Sequence, residues 1–411
     1  MTHIFTITAK NYLSLALTLG QSVVRHHPEA LFTICVADGI DGISMNYEHP
    51  GHHLLDARTI LPVEVFEDLA FKYDVTEFCT SIKPAMFKYL FHTESNTELV
   101  YYMDPDTRLY SRLDPITTGT PAKTIYLAPH LLDCEVDDNN PCPEFCHLFE
   151  GIFNLGFCAI RRTAAMPKIL AWWDARLREY CFADRNDGLH TDQKWMDYAP
   201  VYFRNDLVII THYGVNVSHW NLIERPLKKI NGEYKAGCDP LIFFHFSGFD
   251  FKGDTLTKHV STDLQATYTD ALLISFATEY RNIVKDNGYD ILIQIPYGFS
   301  CFDDGTPLSK AQRRLYRKYV EQRKVLHPFS KDGTFYKALL ANDLLDHSSA
   351  AKFNYSKATV SNIEGKLRII GRGMRFILKL MGFRRYAQLV KLCSYLGQFE
   401  NHDFLLKKND R

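Results

Sequence analysis

The feature that most limits what this chain can fold into is an alternation, through its first hundred residues, of short apolar runs with amphipathic stretches. Ile4 to Thr8 predicts a strand. Asn11 to Arg25, with Leu13, Leu17 and Val24 at helical spacing and His26-His27-Pro28 behind them, predicts a helix. Leu31 to Ala37 is a second apolar strand ending at Asp38-Gly39. Val63 to Tyr73 and Lys83 to Phe91 read as helices, and Glu98 to Met103 as a strand that stops at Asp104-Pro105-Asp106. Strands that alternate with helices imply a mostly parallel sheet covered by helices on both faces, an α/β fold of the Rossmann-like kind. In such sheets ligands gather beyond the carboxyl ends of strands, where Asp38 and the Asp104/Asp106 pair fall.

Further strands are expected at Thr124 to Ala128, Gly156 to Arg161, Val201 to Ile210 and Leu241 to His245, with a helix from Met166 to Tyr180. From about Asp263 the pattern turns helical, with Leu264 to Val284 and Ser309 to Val325 the clearest stretches. This divides the chain into residues 1–258 and a mostly helical C-terminal region, 259–411. No Gly-x-Gly-x-x-Gly follows a strand and there is no P-loop, which argues against nicotinamide binding and P-loop phosphate chemistry. Lys and Arg number 47 against 48 Asp and Glu, so no global charge draws the chain to nucleic acid.

The start, Met1 to Thr8, alternates polar and apolar residues without a basic cluster or a long apolar run, unlike a secretory leader. The ten cysteines are scattered, mostly within apolar strings, and read as free thiols of a reducing cytoplasm. One group, Cys134, Cys142, Cys146 and His147, has ligand types suited to zinc. It lacks a Cys-x-x-Cys pair, and Asp133, Glu135, Asp137, Asp138, Asn139, Asn140, Pro141 and Pro143 read as a polar loop.

Asp104-Pro105-Asp106 is the most informative triplet. Two carboxylates two residues apart at a strand end can aim at one hard cation such as Mg²⁺ or Mn²⁺, which takes oxygen ligands and shares them with substrate phosphates. The plain alternative is a solvated Asp-Pro turn.

The triplet belongs to a series. Thr6 to Tyr12, Val36-Ala37-Asp38-Gly39, Lys83 to Leu90, Val100 to Asp106, Phe153-Asn154-Leu155-Gly156-Phe157, His190-Thr191-Asp192-Gln193 and Phe244 to Gly248 follow one another in order. In that order they resemble the GT-A glycosyltransferases, closest to the retaining branch of glycogenin and the bacterial lipooligosaccharide galactosyltransferases. The C-terminal region lies outside the resemblance.

The resemblance implies roles for particular residues. Thr8 and Asn11 would hold base and ribose, with Asp38 also facing the base unless it is a turn residue. Lys83 and Lys88 would stand near the diphosphate or order the metal loop. Asp104, Asp106 and His245 would bind Mn²⁺ or Mg²⁺, Asp104 touching ribose as well. Asn154 would hold sugar hydroxyls, or simply enter a strand. Asp192 would bind donor hydroxyls, and Gln193 would lie on the face of the anomeric carbon away from the leaving phosphate; Thr191 or Asp192 also reads as a helix N-cap. Two departures stand out. Lys252 falls one residue late for the diphosphate role, and Lys194 replaces the second acid of the Asp-Gln-Asp element.

The implied reaction moves a hexose from a nucleotide-sugar, a UDP-sugar first among them, to a glycan or lipid-linked glycan, with retention of configuration, in bacterial surface polysaccharide assembly. An inverting enzyme would need a carboxylate base, for which Glu150 is the candidate. The rivals are a nucleotidyltransferase, whose Gly-rich basic loop is missing after the first strand, and a catalytically inactive glycan-binding protein. Residues 366–399 carry eight Lys or Arg and no acid. Arg368, Arg372, Arg375 and Lys379 share one helix face and Leu367, Ile370, Met374, Ile377 and Leu378 another, which suits peripheral attachment to an anionic inner membrane face, or else a surface helix packed on its own domain.

Overall fold

The computed structural model describes residues 1–43, 51–134, 142–253, 256–259, 270–321, 323–345 and 363–406. Residues 135–141 of the polar loop expected from Asp133 to Pro143, and the start of the helix expected from Leu264, lie outside them. Nine strands matter to the site: β1 (Thr2–Thr8), β2 (Leu31–Val36), β3 (His53–Asp56), β4 (Leu99–Met103), β5 (Thr107–Leu109), β6 (Ile125–Pro129), β7 (Phe153–Arg161), β8 (Leu207–Ile209) and β9 (Phe243–His245). Seven of them form one sheet in the order β8-β6-β7-β4-β1-β2-β3. All its pairings are parallel except the two made by β7, which runs antiparallel to both β4 and β6.

The expected mostly parallel α/β sheet is therefore present, and its sequence pattern follows from burial. β4 is covered on both faces and reads as a continuous apolar run, while β1, also buried on both faces, keeps polar residues such as His3, which meets Thr33 Oγ1 at 2.8 Å. Helix Leu13–His26 packs Leu13, Leu17 and Val23 with Ile4, Val36, Met103 and Phe157 in one core. Behind the other face, Phe87 of helix Lys83–Thr93 meets Phe5 edge-on at 4.8 Å and Trp173 of helix Met166–Tyr180 at 5.9 Å.

The chain forms two compact units. The first comprises residues 1–63 and 75–298. Helix Ala271–Asp286 belongs to it, capped by Asp270, whose carboxylate accepts the Leu272 N–H at 2.8 Å. Its Phe276 and Tyr280 cover β9 through Phe244 and Phe246. The second comprises 64–74 and 299–411. Its core gathers Phe71, Phe302, Tyr316, Phe335 and Leu339. There the buried Arg313 donates to the carbonyls of Ala70, Phe71 and Tyr73 at 2.6–2.8 Å. Helix Ile363–Leu396 has no buried residue, Gly382 at φ 74° breaks it into two arms, and a 3-10 helix, Phe399–Leu406, follows it.

One local expectation is corrected. Val201 to Ile210 is not one strand: Ala199–Tyr202 is a helical turn, with Pro200 preset for its start, and only Leu207–Ile209 pairs with β6. Among the described residues Cys134, Cys142 and Cys146 do not converge with His147 on a common ligand position; His147 meets His130 and Glu150 instead.

Candidate active site

Asp104 and Asp106 leave the carboxyl end of β4, as their place after an apolar strand implies. What brings His245 to them is a pairing of distant segments. β5 runs antiparallel to β9 with Thr107 opposite His245, and the Phe246 N–H donates to the Asp106 carbonyl at 2.8 Å. His245 Nε2 thereby lies 3.1 Å from Asp106 Oδ1 and 3.8 Å from Asp104 Oδ2. Gly156 completes the group. The Asp104 N–H donates to its carbonyl at 2.8 Å, and a Cβ there would stand 2.4 Å from His245 Cε1 and 2.8 Å from Asp104 Oδ2. Only glycine leaves that space open.

Asn216, which the sequence reading missed, orients the histidine. It is fully buried at φ 56°, a left-handed backbone that asparagine tolerates, and its Oδ1 lies 3.2 Å from His245 Nδ1. The amide chain continues. Asn216 Nδ2 donates to Asn154 Oδ1, Asn154 Nδ2 to Gln193 Oε1, and Gln193 Nε2 to the Glu150 carbonyl, at 3.0–3.2 Å. Asn154 and Gln193 are thus in the site, with their amides engaged by one another.

Asp192 occupies the N-cap position of helix Gln193–Met196 but caps nothing. Thr191, at φ 46°, precedes it, and the carboxylate is buried against Lys83 at 2.9 Å. Lys83 Nζ also donates to the Leu155 carbonyl at 2.8 Å and stands 4.4 Å from the centre of the Tyr102 ring. Burial opposes the charge on Lys83, but the Asp192 and Asp104 carboxylates outweigh it and raise its pKa. Tyr102 in turn donates its hydroxyl to Asp104 Oδ1.

These side chains line two spaces that share Thr76, Thr80, Asp104 and Asp106. One, of about 240 Å³, is bounded by Thr8, Asn11, Tyr12 and Cys79. The other, of about 640 Å³, is bounded by Lys83, Asn154, Asp192, Gln193 and His245, with His130, His147 and Glu150 on its wall. Asp38 is in neither lining. Its oxygens accept the N–H of Lys10 at 2.9 Å and of Gly298 at 3.0 Å, so it orders the loop that carries Thr8 and Asn11. Lys88 pairs with Asp174 at 2.7 Å and Lys252 is exposed; neither lines these spaces.

Burial by itself would lower the pKa of His245, yet Asp106 and Asp104 raise it above its usual 6.5, and His245 in turn holds Asp106 below the usual carboxylate range against its own burial. Burial and the neighbouring His147 push His130 down to about 3, so its ring is neutral. The donor set of Asp104, Asp106 and His245, with ligand atoms mutually within 4.8 Å and the glycine-opened space beside them, fits a divalent cation such as Mn²⁺ or Mg²⁺.

No family model matches the chain. It is 26% identical over 246 residues to the uncharacterised Bacillus subtilis protein YfnF, covering 59% of this chain and 80% of that protein. To YfnD of the same organism, also uncharacterised, it is 26% identical over 260 residues, 60% and 78%. Among solved structures it is similar to the galactosyltransferase LgtC in complex with donor and acceptor sugar analogues, at 13% identity and TM-score 0.41 over 72% of this chain and 98% of that one. It is also similar to the glycosyltransferase GlyE of Streptococcus pneumoniae, at 13% identity and TM-score 0.40 over 74% and 67%.

Proposed function

We propose that this chain is a metal-dependent glycosyltransferase of the GT-A kind. It moves a hexose from a nucleotide-sugar, a UDP-sugar in the first instance, to a glycan or lipid-linked glycan acceptor, with retention, in bacterial surface polysaccharide assembly. The supporting observation is the convergence of Asp104, Asp106 and His245 at the meeting point of a narrow space and a wide one. That layout suits a nucleoside on one side of a bound diphosphate and sugars on the other. Transfer is assigned to residues 1–258.

Asp104, Asp106 and His245 would hold the cation, which would supply stabilisation of the negative charge on the diphosphate as the sugar–phosphate bond breaks. The chain's own groups do the rest. The Thr8–Asn11 loop, ordered by Asp38, borders the nucleoside space. Lys83 adds a fixed positive charge beside Asp104. Asp192 and the Gln193 amide line the sugar space, where oxygen dipoles favour the positive charge developing at the anomeric carbon.

The state of the carboxylates supports retention. Asp192 is tied to Lys83, and Glu150 lies 3.3 Å from His147 Nδ1. With neither standing free as a base, the acceptor proton passes to the leaving phosphate on the same face. The basic arm 363–381 is assigned to peripheral contact with the cytoplasmic face of the membrane; among the described residues no helix is long and apolar enough to cross one.

The test is release of UDP from UDP-hexoses with Mn²⁺, and the anomeric configuration of the product by NMR coupling constants. No UDP release by the wild type, or full release in EDTA or by both Asp106→Ala and His245→Ala, overturns the metal-dependent reading. An inverted product overturns retention and points to Glu150.

A further inference from the structure

The wall of the larger space carries a second convergence of ligating side chains that the transfer chemistry does not use. His130 follows β6, while His147 and Glu150 lie one turn apart on helix Glu144–Glu150. One ligand atom from each of the three lies within 4.8 Å of the other two. His147 is only 9% exposed, yet its Nε2 has no hydrogen-bond partner, a state that buried ring nitrogens rarely keep.

The pairwise geometry is close to that of a bound cation. His147 Nδ1 and Glu150 Oε2 are 3.3 Å apart. A tetrahedral ion with bonds of about 2.0–2.1 Å holds its ligand atoms roughly 3.3 Å from one another. His130 Nδ1 lies 3.2 Å from the Ile152 carbonyl and can only donate to it, while Asn154 Nδ2 donates toward Nε2 at 3.2 Å. Both contacts place the proton on Nδ1 and the lone pair on Nε2, where a cation would take the place of the Asn154 N–H. A backbone carbonyl behind the far nitrogen is how metal-bound histidines are oriented. The two rings stack at 4.4 Å with 15° between their planes, so closing on one ion requires the His147 ring to turn about χ2 with the Glu150 carboxylate following Nδ1; Nε2 makes no hydrogen bond that opposes the turn.

We propose that His130, His147 and Glu150 form a second cation site, for Zn²⁺ or a cation of similar borderline softness, with one coordination position open to the cavity. Two imidazoles and one carboxylate favour zinc over magnesium, whereas the two carboxylates of the first site favour a harder ion. The inference does not depend on the transfer reaction.

The test reads metal content rather than activity. The full-length protein is stripped with chelator and dialysed against micromolar Zn²⁺, using Asp104→Asn/Asp106→Asn as the background in which the first site is broken. That background should retain one equivalent of Zn²⁺, show the visible absorption of four-coordinate Co²⁺ on cobalt substitution, and melt at a higher temperature with Zn²⁺ than without it. Adding His147→Gln should remove the equivalent, the absorption and the thermal gain together. Adding Glu150→Gln, at the more exposed ligand, should weaken Zn²⁺ binding by at least tenfold and serves if His147→Gln does not fold. Absence of Zn²⁺ uptake in the background, or uptake and cobalt absorption unchanged by the added substitutions, overturns the proposal.

Discussion

Replacing Lys83 by Met would show what holds the wall between the two spaces together. The Lys83 and Asp192 side chains are 4% and 2% exposed, with Nζ 2.9 Å from Oδ2. Lys83→Met strands a carboxylate in a buried site, and breaking a buried pair in this way costs about 3–5 kcal/mol. Asp192→Asn strands the ammonium instead. That group keeps the Leu155 carbonyl and the face of Tyr102, so its cost should fall at the low end, about 3 kcal/mol. The double variant leaves neither charge unpaired and should lie within about 1–2 kcal/mol of wild type, because neutral replacement of a buried pair is often tolerated. The coupling energy should therefore be at least about 4 kcal/mol. Urea unfolding followed by tryptophan fluorescence measures it. All four tryptophans (Trp172, Trp173, Trp195 and Trp220) lie in the first unit, so the signal reports that unit. If the double variant is destabilised by the sum of the single ones, the pair is not the organising contact described above.

Gly156→Ala should abolish tight Mn²⁺ binding in calorimetry, since its Cβ would stand 2.4 Å from His245 Cε1; unchanged affinity would refute the placement of the cation. Mn²⁺ affinity should also depend on pH in a definite sense. The carboxylates raise His245 above 6.5, and a proton there competes with the ion, so affinity should be full above that raised pKa and fall by up to about tenfold per pH unit below it. The metal-free protein should show the opposite trend, its melting temperature falling as pH rises through the same pKa, because the protonated pair with Asp106 is then lost. Finally, the wild type should sediment with anionic vesicles at low salt and be released as salt rises. Reversing Arg368, Arg372, Arg375 and Lys379 to Glu should release it without changing turnover of a small soluble acceptor, and failure of the wild type to sediment would leave the helix without that role.

Much of the frame was legible because its causes are local. A strand covered on both faces tends to be an unbroken apolar run, and β4 is one; β1 and β2 come close, with threonines among their apolar residues. A helix with one face on a sheet must repeat its apolar residues at helical spacing, as Leu13 to His26 does. Asp104 and Asp106 could be singled out because a strand end and two residues of separation suffice to aim two carboxylates at one point. Where local preference was outweighed, the reading slipped. Pro200 starts a helical turn inside a stretch whose apolar residues suggested a strand. Lys83 and Lys88 looked alike, but five residues place them about 140° apart around the helix, and only one of those directions faces the cavity.

The sequence by itself determined the strand–helix alternation, the carboxylate pair at the end of β4 and the acid-free basic stretch 366–399, since each depends on neighbours along the chain. The resemblance named His245; only the tertiary structure decided how it reaches the carboxylates, which asparagine orients it, and that His130, His147 and Glu150 meet. His245 reaches Asp106 because β9 pairs with β5 in a register that sets it opposite Thr107. Asn216 and His130 sit in segments with no periodicity of their own and acquire their partners only when distant segments pack around one cavity. Burial is what commits those polar groups: away from water, each must bond to whatever the packing places in front of it.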